Sequence, residues 1–208
     1  MPGLSVERAS LVYTMAARSG VPGTMRDVSI EPDTKDWTWV LERPCPECGY
    51  DGSTVRPDRL VDLLEENTRR WSGVLDHHDC AVRPAPHRWS RLEYACHVRD
   101  VHEVFARRVH LMLDEDDPAF ENWDQDATAL EKRYDEQDPA TVAADLVERA
   151  AAATAAYATV EPDQWQRVAR RSDGSVFTIE TLGRYHLHDV VHHLWDVGVT
   201  PHLPSSNG

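Results

Sequence analysis

Four segments of the chain repeat apolar residues with the 3.6-residue period of an α-helix, and this pattern restricts the fold more than any other feature. In the first segment, Leu60, Leu63 and Leu64 share one helix face. The four segments run over Asp58–His78, Ser90–Leu113, Asp138–Val160 and Thr178–Gly198. Long amphipathic helices bury their apolar faces against one another, so the sequence predicts an all-α four-helix bundle.

Residues typical of helix ends flank these segments. Ser90 and Glu93 have the spacing of a capping box, in which each side chain bonds an otherwise unpaired backbone N–H. Asp138 followed by Pro139 is typical of an N-cap and a first helical position, and Gly198 is typical of a helix end. These signals place the predicted bundle within residues 56–200.

The two ends of the chain lack this periodicity. Residues 1–55 are rich in proline and glycine and are predicted to form an irregular, partly disordered N-terminal arm. Trp37, Trp39 and Leu41 are expected to pack this arm onto the bundle. Residues 201–208 are predicted to be a short C-terminal tail.

Two connecting segments also carry predictions. The stretch Asp114–Gln137 is rich in acidic residues and is predicted to be a solvated loop. Ser175–Phe177 follows the Asp173-Gly174 turn and is predicted to be a short extended piece. Strand signals are otherwise scarce in this sequence.

The charge of the chain restricts its partners. The formal net charge of −14 argues against nucleic acid, whose phosphates need basic side chains, and against an anionic membrane surface. No apolar run reaches the 18 residues of a membrane span. Four cysteines are too few for a disulfide-stapled secreted scaffold. A cytoplasmic protein that binds a small molecule is therefore expected.

Three histidines suggest a metal site. His188 and His192 are four residues apart and project from one side of a helix. His97 falls on the apolar arc of its helix, beside Val101 and Val104, and is expected to point into the bundle. Imidazole is a common ligand of zinc and nickel. We predict a divalent metal site formed by His97, His188 and His192.

Two alternatives compete with this trio. Asp189 and His193 have the same spacing on the other edge of the last helix, so a set of His97, Asp189 and His193 is a rival to the trio. A core-facing histidine can also simply bond a buried carbonyl. On the second helix, His102 and His110 are expected to lie at the edge of the bundle or outside it.

Other polar residues are candidates for the surroundings of the metal. Asp100, Asp189 and Asp196 are candidates to accept hydrogen bonds from ligand imidazoles. Asn67 interrupts the apolar stripe of the first helix, where it either lines a polar pocket or lies at its edge. The predicted pocket residues are Asn67, Trp89 and Trp195.

The sequence Cys45-Pro46-Glu47-Cys48 is a CxxC turn of the zinc-knuckle type. It supplies two of the four ligands that a structural zinc needs. Cys80, with His77 or His78, is the candidate to complete a second zinc site. The alternative is that these cysteines pack in the core without binding a metal.

The segments Trp89–His97 and His188–Asp196 resemble the DinB superfamily, which includes thiol-dependent S-transferase-like bundles. The resemblance covers about residues 56–200. It implies a four-helix bundle with three protein ligands to zinc or nickel, open coordination positions and a low-molecular-weight thiol such as mycothiol as cosubstrate. In the related mycothiol-dependent maleylpyruvate isomerases an acidic residue replaces one histidine, which would suit Asp189 with His193.

The resemblance implies a function that the residues alone do not specify. We expect a metal-dependent thiol transferase or isomerase that acts on a small electrophile through a metal-activated thiolate. The alternatives are a non-catalytic metal-binding module of a stress response, and a structural dimer whose histidines fill the core. A homodimer is compatible with each of them.

Overall fold

The computed structural model describes Ile30 and residues 35–204; the remainder of the predicted N-terminal arm and the end of the tail lie outside the described residues. Within these bounds the chain forms six α-helices, three short 3₁₀ helices and a small sheet. The α-helices are α1 (Pro57–Thr68), α2 (Trp71–Leu75), α3 (Arg91–Asp114), α4 (Gln125–Glu131), α5 (Pro139–Ala158) and α6 (Ile179–Asp196). None of them is long and apolar enough to cross a membrane.

The predicted four-helix bundle is confirmed. Helices α1, α3, α5 and α6 pack around one core, with α3 against α5 and α6, and α1 against the same two helices. Side chains from all four meet at the centre, where they lose nearly all contact with solvent. Examples are Leu64, Val101, Leu146 and Val190.

The first predicted helix is divided. It was expected to run from Asp58 to His78, but α1 ends at Thr68 and α2 covers only five residues. The intervening Arg69 and Arg70 keep right-handed helical dihedral angles, so the apolar period continues across the break. A periodic pattern therefore cannot show that the hydrogen-bond ladder is interrupted.

The predicted helix caps are present. Ser90 and Glu93 form a reciprocal capping box at the start of α3, and Glu93 also forms an ion pair with Arg83. The Asp138 side chain accepts a hydrogen bond from the N–H of Thr141 at 2.9 Å. Each bond satisfies a backbone donor that has no partner within its own helix.

The acidic stretch is more ordered than a solvated loop, which corrects that prediction. It contains strand β1 (Ala119–Phe120), helix α4 and a 3₁₀ turn at Tyr134–Glu136. Strand β1 runs parallel to β2 (Val168–Arg171), which pairs antiparallel with β3 (Val176–Thr178). The predicted extended piece near residue 176 is therefore part of this sheet. A two-residue strand is too short to leave a period-two pattern in the sequence.

The described part of the N-terminal arm packs against α6. Val40, Tyr50 and Val55 are fully buried. The hydroxyl of Tyr50 donates to the carbonyl of Arg184 at 2.7 Å, and Arg184 Nε donates to the carbonyl of Val55 at 3.1 Å. Polar bonds as well as apolar contacts thus attach the arm to the last helix.

Gly183 sets the distance between α1 and α6. A Cβ atom at this position would lie 2.4 Å from Leu60 Cδ2 and 3.3 Å from Tyr157 Cε1. Replacement of Gly183 by alanine is expected to destabilise the protein by about 1–2 kcal/mol, because overpacking outweighs the gain in helix propensity. Urea unfolding measures the change.

The control for this change is Gly73→Ala on α2, where an added Cβ meets nothing within 4 Å. That variant is expected to gain about 0.5–1 kcal/mol. Equal stabilisation by both changes would show that α1 and α6 are not in close contact at Gly183.

Candidate metal centre

Helix α6 presents two pairs of potential ligands on neighbouring sides. His188 and His192 are one i, i+4 pair, and Asp189 and His193 are the other. Successive residues are rotated by about 100° around a helix, so the two pairs point in different directions. What packs against each side of α6 therefore decides which donors each pair meets.

Helix α3 meets the side that carries Asp189 and His193. His97 Nε2 lies 3.2 Å from Asp189 Oδ1, and His193 Nε2 lies 3.5 Å from the same oxygen. The rings of His97 and His193 are 4.7 Å apart and nearly perpendicular. One donor atom from each residue lies within 4.8 Å of the others, which is close enough to share a metal ion. We call these three residues the triad.

The predicted trio is not brought together. His97 belongs to the triad, whereas His188 and His192 form a separate group with Cys45 and Cys48. The alternative set from the sequence, with Asp189 and His193, is the one that the fold assembles around His97. The reason is tertiary: α3 contacts one side of α6, and the N-terminal arm covers the other.

The predicted completion of the CxxC turn is also wrong. His77 and His78 group with Asp79 in an exposed cluster. Cys80 is not part of any group of three donors among the described residues. The partners of Cys45 lie instead on α6, more than 140 positions away along the chain, a distance over which sequence spacing gives no guidance.

Of the aspartates predicted to accept hydrogen bonds from ligand imidazoles, one lies next to the triad and another does not. Asp196 Oδ2 lies 2.8 Å from His193 Nδ1, so this carboxylate orients the imidazole as predicted. Asp100 contacts no imidazole of the triad. It accepts from Arg99 and Tyr134 instead and forms a buried charge cluster.

His97 is enclosed by aromatic rings. The ring of Trp123 stacks on it at a centroid distance of 5.3 Å, and Trp89 approaches at 5.4 Å. The His97 side chain has no exposed surface. Burial lowers the pKa of His97, so its imidazole stays neutral and keeps a lone pair for a metal.

The donor set fits a divalent cation. Burial alone would raise the pKa of Asp189, but the neighbouring imidazoles of His97 and His193 hold it well below its ordinary value, so the carboxylate is charged. His97 Nδ1 is buried and lacks a hydrogen-bond partner among the described residues. The ring is thus not a core histidine bonded to a carbonyl. Two imidazoles and one carboxylate are a common set for zinc and iron(II).

A cavity of about 430 Å³ opens beside the triad. Asp189 and His193 line it, while His97 lies behind them. The other walls combine aromatic and polar side chains. They include Trp37, His87, Arg88, Trp89, Tyr94 and Tyr185.

Only one of the three predicted pocket residues lines this cavity. Trp89 does so, but Trp195 is 41% exposed and contributes no wall. Asn67 is fully buried and binds the C-terminal tail: its Nδ2 donates to the carbonyl of His202 at 2.9 Å, and its Oδ1 accepts from the N–H of His202. The polar Asn67 interrupts the apolar stripe of α1 because it binds the C-terminal tail, and not because it lines the cavity.

One histidine prediction on α3 is wrong and another is confirmed. His110 is exposed, as expected. His102 is fully buried: its Nδ1 lies 3.0 Å from His186 Nε2, and its Nε2 lies 3.3 Å from the hydroxyl of Thr68. His186 continues this chain of polar contacts to the hydroxyl of Tyr157. His186 and Trp123 could not be found from the sequence, because neither belongs to a spacing motif.

The fold and the triad together define a helical-bundle protein with a candidate metal centre between two helices. A model of the DinB superfamily matches residues 61–197, and the chain therefore belongs to that superfamily.

A solved structure supports the same fold. The chain is similar to YfiT from Bacillus subtilis, described as a probable metal-dependent hydrolase with an unusual four-helix bundle topology. The TM-score is 0.61 at 24% sequence identity, over 68% of this chain and 85% of YfiT. No curated protein gives a significant match.

Proposed function

We propose that this protein is a divalent-metal-dependent enzyme that joins a low-molecular-weight thiol to a small electrophile, or uses that thiol to isomerise it. The triad carries the proposal, because it is a three-donor cluster and two of its members form the wall of a cavity. Zinc and nickel are the candidate metals, and mycothiol is the candidate thiol.

The number of protein ligands favours catalysis over a purely structural role. Catalytic zinc sites keep three protein ligands and leave a position for an exchangeable molecule, whereas structural sites use four. A divalent metal on the triad would lower the pKa of a thiol or water molecule that reaches it, and so supply a nucleophile near neutral pH.

The residues around the triad have separate tasks in this proposal. Trp89 and Trp123 exclude water from His97 and keep its imidazole neutral. Asp196 fixes the orientation of His193 through Nδ1 and leaves Nε2 directed at Asp189. A ligand imidazole that is held in this way loses little freedom when it binds a metal.

The cavity indicates the size and character of the substrate. Its volume suits a small molecule. Aromatic walls from Trp37, Trp89 and Tyr94 favour a compact apolar body, and Arg88, whose side chain is about half exposed, offers a positive charge at the rim. Small electrophiles with one polar end fit this combination.

Hydrolysis is the second candidate, since YfiT is described as a probable metal-dependent hydrolase and shares the fold. The same centre would then act on water instead of a thiol. The non-catalytic metal-binding module remains the third. These functions differ in what the protein consumes, so one set of assays separates them.

The test mixes zinc- or nickel-loaded protein with mycothiol or glutathione and a chromogenic aryl halide. We expect a thiol-dependent rate at least about 10-fold above that of His97→Ala. His110→Ala, which changes an exposed histidine on the same helix, should match the wild type. A parallel arm supplies a chromogenic ester without thiol.

Each outcome has one meaning. Ester hydrolysis that needs no thiol and disappears in His97→Ala would replace the transferase proposal with a hydrolase. Metal bound at the triad without either activity would favour the non-catalytic module. A thiol-dependent rate that is equal in His97→Ala and the wild type would contradict a role for the triad.

A further inference from the structure

Cys45, Cys48, His188 and His192 form a second group of potential metal ligands, next to the triad on α6. One donor atom from each of the four lies within 4.8 Å of the others. All four residues are buried, with between 1% and 6% of their surface exposed. We infer that this group is a closed structural zinc site, which fastens the N-terminal arm to the last helix.

The donor chemistry suits zinc. Two cysteines and two histidines are one of the standard ligand sets of structural zinc, and four protein ligands fill its tetrahedral shell. Both cysteines are free thiols in the structure. Binding of one zinc ion by two thiols and two neutral imidazoles releases two protons, and no oxidant or reductant is required.

The CxxC turn is shaped to present both sulfurs in one direction. The N–H of Cys45 donates to the carbonyl of Tyr50 at 2.7 Å, and the N–H of Gly49 donates to the carbonyl of Cys45 at 3.0 Å. Gly49 has a φ of +75°, a left-handed conformation that glycine adopts without strain. The backbone N–H of Tyr50 also bonds to Cys48. These bonds fix the turn before any metal binds.

The two histidines carry the second, independent observation. His188 Nε2 is buried without a hydrogen-bond partner among the described residues, which is a cost that a metal bond would remove. His192 Nδ1 faces Cys45 Sγ at 3.7 Å, and its Nε2 lies 3.3 Å from Glu47 Oε2. A carboxylate on the far nitrogen of an imidazole is the usual companion of a metal-ligating histidine.

The position of this group suggests a structural role beside the cavity. His188 and His192 alternate along α6 with the triad residues Asp189 and His193. Trp37, in the arm, contacts the rings of His188 and His192 and also lines the cavity. His188 and His192 line the same cavity, so a zinc ion here would hold that part of its wall in place. The site is independent of the proposed activity, because it would bind metal whether or not the triad is catalytic.

The main experiment is cobalt substitution of the full-length, reduced protein. We expect two metal ions per chain and an intense thiolate-to-cobalt charge-transfer band. Cys45→Ser should lose one equivalent and this band. Cys96→Ser, which removes a buried thiol outside the group, should keep both. His97→Ala should lose the other equivalent and keep the band, which separates this site from the triad.

A second measurement covers the case in which Cys45→Ser does not fold. Wild-type protein is treated with a thiol alkylating reagent, before and after a strong chelator, and mapped by mass spectrometry. Chelation should expose Cys45 and Cys48 together and leave Cys96 protected. No thiolate–cobalt band in the reduced wild type, or alkylation of Cys45 and Cys48 that is equally fast without the chelator, would overturn the inference. A disulfide between them in freshly isolated protein would do the same.

Discussion

Replacement of Asp189 by asparagine is expected to remove the metal from the triad and to leave the fold intact. The carboxylate is the only anionic member of the triad, and its Oδ1 lies within 3.5 Å of a nitrogen of both His97 and His193. Asparagine keeps the shape and one acceptor oxygen but removes the negative charge. Since loss of a residue that merely orients a ligand costs about 10–100-fold in metal affinity, loss of a ligand should cost at least about 100-fold.

Metal content after dialysis against a chelator of intermediate affinity measures this effect, with circular dichroism as the check on folding. Asp163→Asn is the control, because Asp163 is exposed and belongs to none of the candidate ligand groups. It should retain the metal content of the wild type. Full retention of metal by Asp189→Asn would contradict the triad.

The fold could be predicted from the sequence because the signals that define it are local. The periodicity of the four long segments and the cap residues Ser90 and Asp138 are set by neighbours within a few positions. The apolar period of α3 also predicted that His97 points into the core, and the structure confirms that position. Local patterns thus fixed which elements form and which side of α3 carries the candidate ligand.

The choice of ligands on α6 could not be predicted from the sequence. It depends on which other part of the fold packs against each side of the helix. His188 with His192, and Asp189 with His193, have the same spacing and similar character. Only the contact of α3 with one side, and of the arm with the other, assigns them to different groups. The resemblance to the isomerases would suit Asp189 with His193, the pair that the structure places against His97, whereas spacing alone left the choice open.

Helix α3 is covered on more sides than its apolar period indicates, because it contacts α2, α4 and the 3₁₀ turn as well as α5 and α6. Charged residues on its outer side, such as Arg99, Asp100 and Arg108, are consequently buried. The acidic connection that was predicted to be a loop covers them. His102 is buried on a different side of α3, where its ring meets Thr68 of α1 and His186 of α6, so the prediction that placed it at the edge of the bundle was wrong for a separate reason.

Replacement of Asp100 by alanine is expected to destabilise the protein by about 3–5 kcal/mol, because it leaves a buried cation without its counter-charge. Asp100 Oδ1 accepts from Arg99 Nε at 2.9 Å, and its Oδ2 accepts from the hydroxyl of Tyr134 at 2.6 Å. Lys132 Nζ lies 3.0 Å from the same oxygen. These bonds join α3 to the connection that carries Trp123, so their loss should also loosen the cover over His97.

The stability gap between wild type and Asp100→Ala should depend on pH in a defined direction. Burial alone would raise the pKa of Asp100, but its bonds to Arg99, Tyr134 and Lys132 lower it below the ordinary value. A carboxyl whose pKa is lower in the folded state stabilises the fold above its unfolded pKa of about 3.9. The gap should therefore be full at neutral pH and shrink as the pH falls below about 4.

Urea unfolding at neutral pH and at acidic pH measures both effects. Asp62→Ala is the matched control, because Asp62 pairs with Arg59 at 3.4 Å with both side chains more than half exposed. That pair should contribute no more than about 1 kcal/mol, since solvent screens it. If Asp100→Ala costs as little as Asp62→Ala, the charge cluster does not hold the connection on α3. The enclosure of His97 would then need apolar contacts alone, which Trp89→Ala and Trp123→Ala would test by the same unfolding measurement.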